Sequence, residues 1–122
     1  MQGHSLNRYV LEGPDLTNPL VGVLRGFRQE PVVLACDIEG MFHQVHVNEE
    51  HRGTLRFLWW EQKDTSKEPT EHRMWVHLFG ATSSPGCANL ALTTAADDGV
   101  NELGAKAASF IKDNFYIDDG LK

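Results

Sequence analysis

Residues 32–37 read Val-Val-Leu-Ala-Cys-Asp, a run of five apolar residues that ends at an aspartate. The run has no polar alternation, which predicts a strand covered on both faces of a sheet. Residues 115–119 have a similar pattern, because the apolar residues Phe-Tyr-Ile are followed by Asp118 and Asp119. If the two strands are neighbours, their carboxylates meet at one end of the sheet. The two stretches together predict a fold built around that meeting point.

The flanking sequence predicts two main helices that pack on one face of this sheet. Apolar residues recur at helical spacing within residues 16–30, where Pro19 suits a first turn. Residues 85–98 are rich in alanine and leucine and begin with a proline, and residues 105–113 are also helix-like. The expected fold class is therefore α/β or α+β, with an antiparallel sheet.

A hairpin and an irregular arm complete the predicted organisation. Residues 55–60 and 74–78 are strand-like, and residues 62–70 between them contain no apolar side chain, so we predict a hairpin with a long loop. The first 15 residues are polar and contain glycine and proline breakers. We therefore divide the chain into an irregular arm, residues 1–15, and a folded core, residues 16–122.

Composition and charge exclude several classes of protein. The chain has 122 residues, and its 17 acidic and 11 basic side chains give a net charge of −6. This charge argues against a self-sufficient nucleic-acid-binding module, because phosphate neutralisation supplies much of such affinity. No apolar run approaches the roughly 20 residues of a membrane helix, so no membrane partner is expected. Cys36 and Cys87 support no disulfide framework, which favours an intracellular location.

Three aspartates could supply a metal site. Asp37, Asp118 and Asp119 carry hard oxygen ligands of the kind that Mg²⁺ prefers, and two such ions can activate and stabilise the reacting oxygens of phosphoryl transfer. Taken alone, however, an Asp-Asp-Gly triplet is more typical of a turn. Residues 97–99 repeat the triplet at a predicted helix end, where it indicates only solvated polarity.

Other side chains carry weaker signals. His43 and His46 are three residues apart, but neither cysteine adds to them in the spacing of a zinc site, so we predict no zinc. Trp59 and Trp60 could stack on bases of single-stranded nucleic acid. Because neighbours in a strand face opposite ways, at most one of the two can do so.

Three separated segments together resemble the palm of reverse transcriptases. Residues 37–44 (DIEGMFHQ) resemble the first acidic motif, residues 78–85 (LFGATSSP) the template and nucleotide grip, and residues 116–119 (YIDD) the tyrosine-x-aspartate-aspartate box. Their order and spacing also match. Three further stretches resemble the Pao/BEL class of LTR retrotransposon polyproteins, namely residues 13–18, 55–60 and 73–80. The resemblance covers nearly the whole chain.

The resemblance implies an RNA-directed DNA polymerase that transfers a nucleotide to a primer 3′-hydroxyl by a two-metal mechanism. Asp37, Asp118 and Asp119 would hold Mg²⁺ or Mn²⁺, with Asp119 as the more supportive of the three. Ile38 would add a backbone carbonyl. The implied partners are an RNA or DNA template with its primer, and deoxynucleoside triphosphates.

The resemblance also implies a set of nucleotide and template contacts. These are Phe42, Phe79, Gly80, Ser84, Pro85 and Tyr116. Phe42 would be the steric gate that excludes a ribose 2′-hydroxyl, although its sequence setting also suits a core aromatic. Gly80 would let the backbone approach nucleotide and template closely. Tyr116 would lie beneath the primer terminus, or else face the core as an ordinary strand residue.

The resemblance further implies a fragment of a longer polyprotein. Only Leu121 and Lys122 follow the predicted turn at residues 118–120, so we expect the returning strand, the thumb and RNase H segments, and most of the fingers, to lie outside this chain. A cytoplasmic virus-like particle is the implied location. Two alternatives stay open: an inactive, domesticated or decayed fragment that serves as a protein-interaction module, and a two-metal nuclease that needs no triphosphate.

Overall fold

The computed structural model describes residues 5–29 and 31–122, and these residues combine short strands with helices. The strands are β1 (Ala35–Asp37), β2 (Arg56–Trp59), β3 (Thr70–Arg73), β4 (Phe115–Tyr116) and β5 (Asp119–Leu121). The helices are α1 (Leu20–Phe27), α2 (Ser84–Asp98), α3 (Val100–Leu103) and α4 (Ala105–Asn114). The strands form two antiparallel sheets, one with the order β1-β5-β4 and one with β2 beside β3. The predicted mixture of helices with antiparallel sheet is confirmed.

The first sheet contains both strands that the sequence predicted to end at an aspartate, β1 and β4. β5 is its central strand, with Cys36 opposite Gly120 on one side and Phe115 opposite Gly120 on the other. The turn between β4 and β5 lies at Ile117 and Asp118, one residue earlier than predicted. The expectation that the returning strand would lie outside the chain was therefore wrong, because Asp119 and Gly120 themselves begin it.

Gly120 allows the three strands to come together. A Cβ at this position would lie 2.6 Å from Cys36 Sγ and 2.6 Å from Phe115 Cζ. Real side chains do not tolerate such distances, so the centre of the sheet requires a residue without a side chain. The glycine that the sequence assigned to a turn thus has a packing role in a strand.

The apolar run before Asp37 is not covered as predicted. Val32 is 83% exposed, and Val33 and Leu34 are also exposed. Leu34 exchanges two backbone hydrogen bonds with Lys122, which extends the β1–β5 pairing by one residue pair. The lack of polar alternation in this run therefore did not indicate burial on both faces.

The helices pack against the sheet and against one another. α1 and α4 contact β4 and β5, and α2 contacts α4. α1 begins at Leu20, later than the predicted residues 16–30, because Thr17 N–H donates to Asp15 Oδ1 at 3.0 Å in a turn before it. Asn18 then ties this segment to the sheet, since its amide Nδ2 donates to the carbonyl oxygens of Lys112 and Phe115.

The second sheet differs from the predicted hairpin. β3 lies at Thr70–Arg73, so the prediction of a return strand over residues 74–78 was wrong apart from one bridge between His46 and Val76. Every residue of β2 is exposed, and a partner strand therefore needs no apolar side chains. Glu71 supports the pairing with ion pairs to two arginines on the hairpin.

A small apolar core lies beside the acidic end of the first sheet. Its buried members are Met41, Phe42 and Ala88, and partly buried Ile38, Val45, Leu92 and Ile117 pack against it. α2 thus reaches the sheet through residues that neighbour the aspartates in sequence. Among the described residues, no helix is both long and apolar enough to cross a lipid bilayer.

Candidate active site

Three predicted site residues lie in one row across the first sheet. Asp37 is directly opposite Asp119, and Asp119 is directly opposite Tyr116. Opposed residues of antiparallel strands project to the same face, with Cβ atoms about 4.5–5.5 Å apart. The register therefore brings Asp37 and Asp119 together on one face, although they are far apart in the sequence.

Asp118 lies at the tip of the adjoining turn. Its carbonyl oxygen accepts a hydrogen bond from the Ile38 N–H at 3.0 Å, which connects the turn to the end of β1. The resemblance implied that Asp118 is a direct metal ligand and that Asp119 is the more supportive carboxylate. In the structure Asp119 is the residue that opposes Asp37, while Asp118 is held beside them through its backbone.

The turn that carries Asp118 contains an unusual backbone conformation. Ile117 has a φ of 57°, in the left-handed region that β-branched residues rarely adopt. Its side chain packs against the core cluster of Met41, Phe42 and Ala88. Such strain persists only where surrounding packing imposes it, and it is concentrated at functional sites. Core packing thus holds the turn in a conformation that an isolated hairpin of this sequence would avoid.

The donor set suits a hard divalent cation held by few protein ligands. Within residues 5–29 and 31–122, no group of three or more His, Cys, Asp or Glu side chains is arranged to hold a metal ion. Mg²⁺ is commonly bound by one or two carboxylates, with waters and substrate phosphates as the other ligands. Asp37 and Asp119 fit that number and kind of donor. The Ile38 carbonyl accepts a hydrogen bond from Met41 N–H at 3.2 Å, so one of its lone pairs is already engaged.

Phe42 is buried, which confirms the core position that its sequence setting also suited, while its role as a steric gate stays a prediction. It is only 8% exposed and belongs to the core cluster. Its ring also meets Phe79 edge to face, with centroids 4.8 Å apart and planes at 85°. Phe79 is 65% exposed and contacts His43 as well. Phe42 is therefore a fixed core aromatic that reaches the surface through Phe79.

The loop after Phe79 is held by a residue that sequence reasoning did not select. Asn7 Nδ2 donates to the Gly80 carbonyl oxygen at 2.8 Å, and Thr82 N–H donates to Asn7 Oδ1 at 3.0 Å. Gly80 has a φ of +79°, and nothing lies within 4 Å of the place where its Cβ would be. The structural need for glycine here is therefore backbone conformation. Asn7 lies in the polar arm of residues 1–15, which the sequence predicted only as irregular.

Ser84 and His77 form a polar contact behind this loop. Ser84 is 1% exposed, and its Oγ lies 3.3 Å from His77 Nδ1. Burial lowers the pKa of His77, because the protein around the ring disfavours the charged form. The Ser84 hydroxyl therefore joins the loop to α2 and is not open to a ligand in this structure. Pro85 lies nearby and lines a cavity of about 470 Å³ between the arm and α2.

Comparison with protein-family models, with curated proteins and with solved structures finds no match for this chain. The strongest feature is the row formed by Asp37, Asp119 and Tyr116, because its members come from both ends of the folded core.

Proposed function

We propose that the chain is the palm of an RNA-directed DNA polymerase of the Pao/BEL retrotransposon type, with a palm-like arrangement of its first sheet. The observation that carries the proposal is the register of Asp37 against Asp119. The resemblance of residues 37–44 and 116–119 to the two acidic motifs of reverse transcriptases predicts that these segments meet, and the register supports that expectation. A cytoplasmic location belongs to the same proposal.

Asp37 and Asp119 would hold Mg²⁺ or Mn²⁺, and Asp118 would support them through the backbone of the turn. Bound there, the metal would supply Lewis-acid stabilisation of charge on the attacking and leaving oxygens of phosphoryl transfer. The protein's part in such a reaction is chiefly to position groups and balance charge. The hydrogen bond from Ile38 N–H to the Asp118 carbonyl fixes the spacing of the two acidic segments for this task.

The aromatic residues would select and align the substrates. Phe42 is rigid because the core encloses it, and a rigid ring can exclude a ribose 2′-hydroxyl better than a mobile one. Phe79 covers its edge from the exposed side. Tyr116, opposite Asp119, would support the primer terminus beside the carboxylates.

The first experiment measures Mn²⁺ binding to the chain by electron paramagnetic resonance, together with extension of a DNA primer on an RNA template. We expect Asp37→Asn to weaken Mn²⁺ binding and to abolish any extension. Asp98→Asn is the matched control, because Asp98 is an exposed carboxylate at the end of α2 within the other Asp-Asp-Gly triplet. Equal Mn²⁺ affinity of the wild-type chain and Asp37→Asn would contradict the proposal.

A second candidate is a protein-interaction module without catalytic activity. The observation that favours it is the exposed apolar run of Val32, Val33 and Leu34 beside the edge of β1. This candidate predicts that partner binding depends on Val33 and is unchanged by chelation of divalent cations. The Mn²⁺ measurement therefore separates the two candidates.

A further inference from the structure

Two aromatic pairs with exposed rings lie outside the acidic row of the first sheet. Phe79 meets the His43 ring, and in the second pair Trp75 stacks on His46. The Trp75 and His46 planes are 8° apart and their centroids 5.8 Å apart, an offset parallel arrangement. Trp75 nevertheless remains 62% exposed. Trp75 thus offers a large aromatic surface whose orientation is set by its stack on His46.

The backbone beneath this pair is fixed on both sides. Val47 N–H donates to the Trp75 carbonyl at 2.8 Å, and His77 N–H donates to the Val45 carbonyl at 3.0 Å. These bonds flank the bridge between His46 and Val76. Val76 is buried and Val45 packs on the core cluster, so the exposed rings are attached to the rigid part of the fold.

A cationic side chain is bonded to the backbone that pairs with Trp75. Arg52 Nε donates to the Val47 carbonyl at 2.9 Å, and the N–H of the same Val47 bonds to Trp75. Within the described parts of the chain, no carboxylate lies within 4.0 Å of the Arg52 guanidinium, whereas Arg56 and Arg73 both pair with Glu71. The positive charge of Arg52 is therefore available to an external anion.

We propose that Trp75, His46 and Arg52 form a binding site for single-stranded nucleic acid, in which a base stacks on Trp75 and a phosphate meets Arg52. An aromatic face and a nearby cation are the two elements of sequence-independent strand binding. The inference rests on the proposed function, since the strand it binds would be the unpaired template. It assigns stacking to Trp75, where the sequence had suggested Trp59 or Trp60.

The test measures binding of fluorescein-labelled ten-nucleotide oligo(rU) and oligo(dT) to the whole chain by anisotropy. Low ionic strength is needed because the net charge of −6 opposes association. We expect Trp75→Leu to weaken binding about tenfold, as the loss of one base stack does. Trp59→Leu is the matched control, since Trp59 is also exposed but meets Trp60 at 65° on the β2–β3 hairpin.

Two further comparisons separate stacking from charge. An abasic oligonucleotide keeps its phosphates, so the difference between wild type and Trp75→Leu should disappear with that ligand. Arg52→Gln should reduce the slope of log affinity against log salt by about 0.7, while Arg56→Gln, whose guanidinium is already ion-paired, should leave it nearly unchanged. Undetectable binding, or equal losses in Trp75→Leu and Trp59→Leu, would overturn the inference.

The binding assay contains neither divalent metal nor triphosphate, so its result is independent of the primer-extension assay that measures nucleotidyl transfer. Trp75-dependent binding without nucleotidyl transfer would support this site and contradict only the proposed polymerase activity. Transfer activity with affinity that does not depend on Trp75 would support the polymerase proposal and overturn this site.

Discussion

Asp37 and Asp119 lie directly opposite each other on antiparallel strands, with no basic residue in their row across the sheet. Like charges in directly opposed positions destabilise a sheet. An arrangement of this kind costs stability, and a cation between the two carboxylates would remove the cost. The pair therefore links the stability of the fold to its proposed metal site.

We expect Asp119→Asn to stabilise the chain at neutral pH by about 0.2–1 kcal/mol, because it removes the repulsion with Asp37. The free energy of unfolding in urea measures the effect. Glu68→Gln is the control, since it removes one negative charge from an exposed loop far along the sequence from either aspartate.

A double-mutant cycle identifies the source of that change. If repulsion is the cause, Asp37→Asn adds little once Asp119 is already Asn, and Mg²⁺ stabilises the wild-type chain more than either variant. Strictly additive effects of the two substitutions would show that the carboxylates do not interact.

Gly120→Ala should destabilise the chain by about 1–3 kcal/mol, the usual cost of overpacking. The added Cβ would meet Cys36 Sγ and Phe115 Cζ, both at 2.6 Å. Thermal unfolding followed by circular dichroism measures the loss. The matched control is Gly26→Ala in α1, where nothing lies within 4 Å of the new Cβ and alanine is the better helix former, so stability should rise. A neutral Gly120→Ala would mean that β5 does not pass this close to its neighbours.

Asn7→Ala should free the loop at residues 80–82 without unfolding the chain. The substitution removes the acceptor of Thr82 N–H and the donor to the Gly80 carbonyl. We expect hydrogen exchange at the Thr82 amide to accelerate about fivefold, since a net hydrogen bond contributes about 1 kcal/mol. Asn101→Ala, an exposed substitution in α3, is the control. Unchanged exchange at Thr82 would show that the arm does not hold the loop.

The stability of the chain should fall as the pH drops below the ordinary histidine pKa of about 6.5, partly through His77. Burial lowers the pKa of His77 in the folded chain. As the pH falls, the unfolded chain therefore binds the proton first, which favours unfolding. The contribution of neutral His77 to the free energy of unfolding is complete above pH 6.5 and is lost as the pH falls toward the lowered pKa.

Urea unfolding of wild type and His77→Gln across this pH range checks the assignment. The variant should have a shallower dependence of unfolding free energy on pH, whereas His51→Gln, an exposed histidine, should retain the wild-type slope. Identical slopes for wild type and His77→Gln would exclude His77 as the cause.

The sequence by itself determined the local features whose causes are local. The apolar spacing and Pro19 located α1, the proline near the start located α2, and the polar stretch after Trp60 located the hairpin loop. It also selected Asp37, Asp118 and Asp119, because carboxylates at the ends of apolar strands form a recognisable pattern. These features depend on side chains within a few positions of one another.

Only the tertiary structure decided which residues face each other and which are covered. The register that opposes Asp37 to Asp119 depends on Gly120 packing against Cys36 and Phe115, contacts that no local pattern encodes. Likewise, the exposure of Val32 and the hydrogen bond from Asn7 to Gly80 depend on which distant segments of the chain lie next to these residues. The physical reason is that burial and strand register are set by contacts between segments distant in sequence, whereas turn and helix propensities arise within one segment.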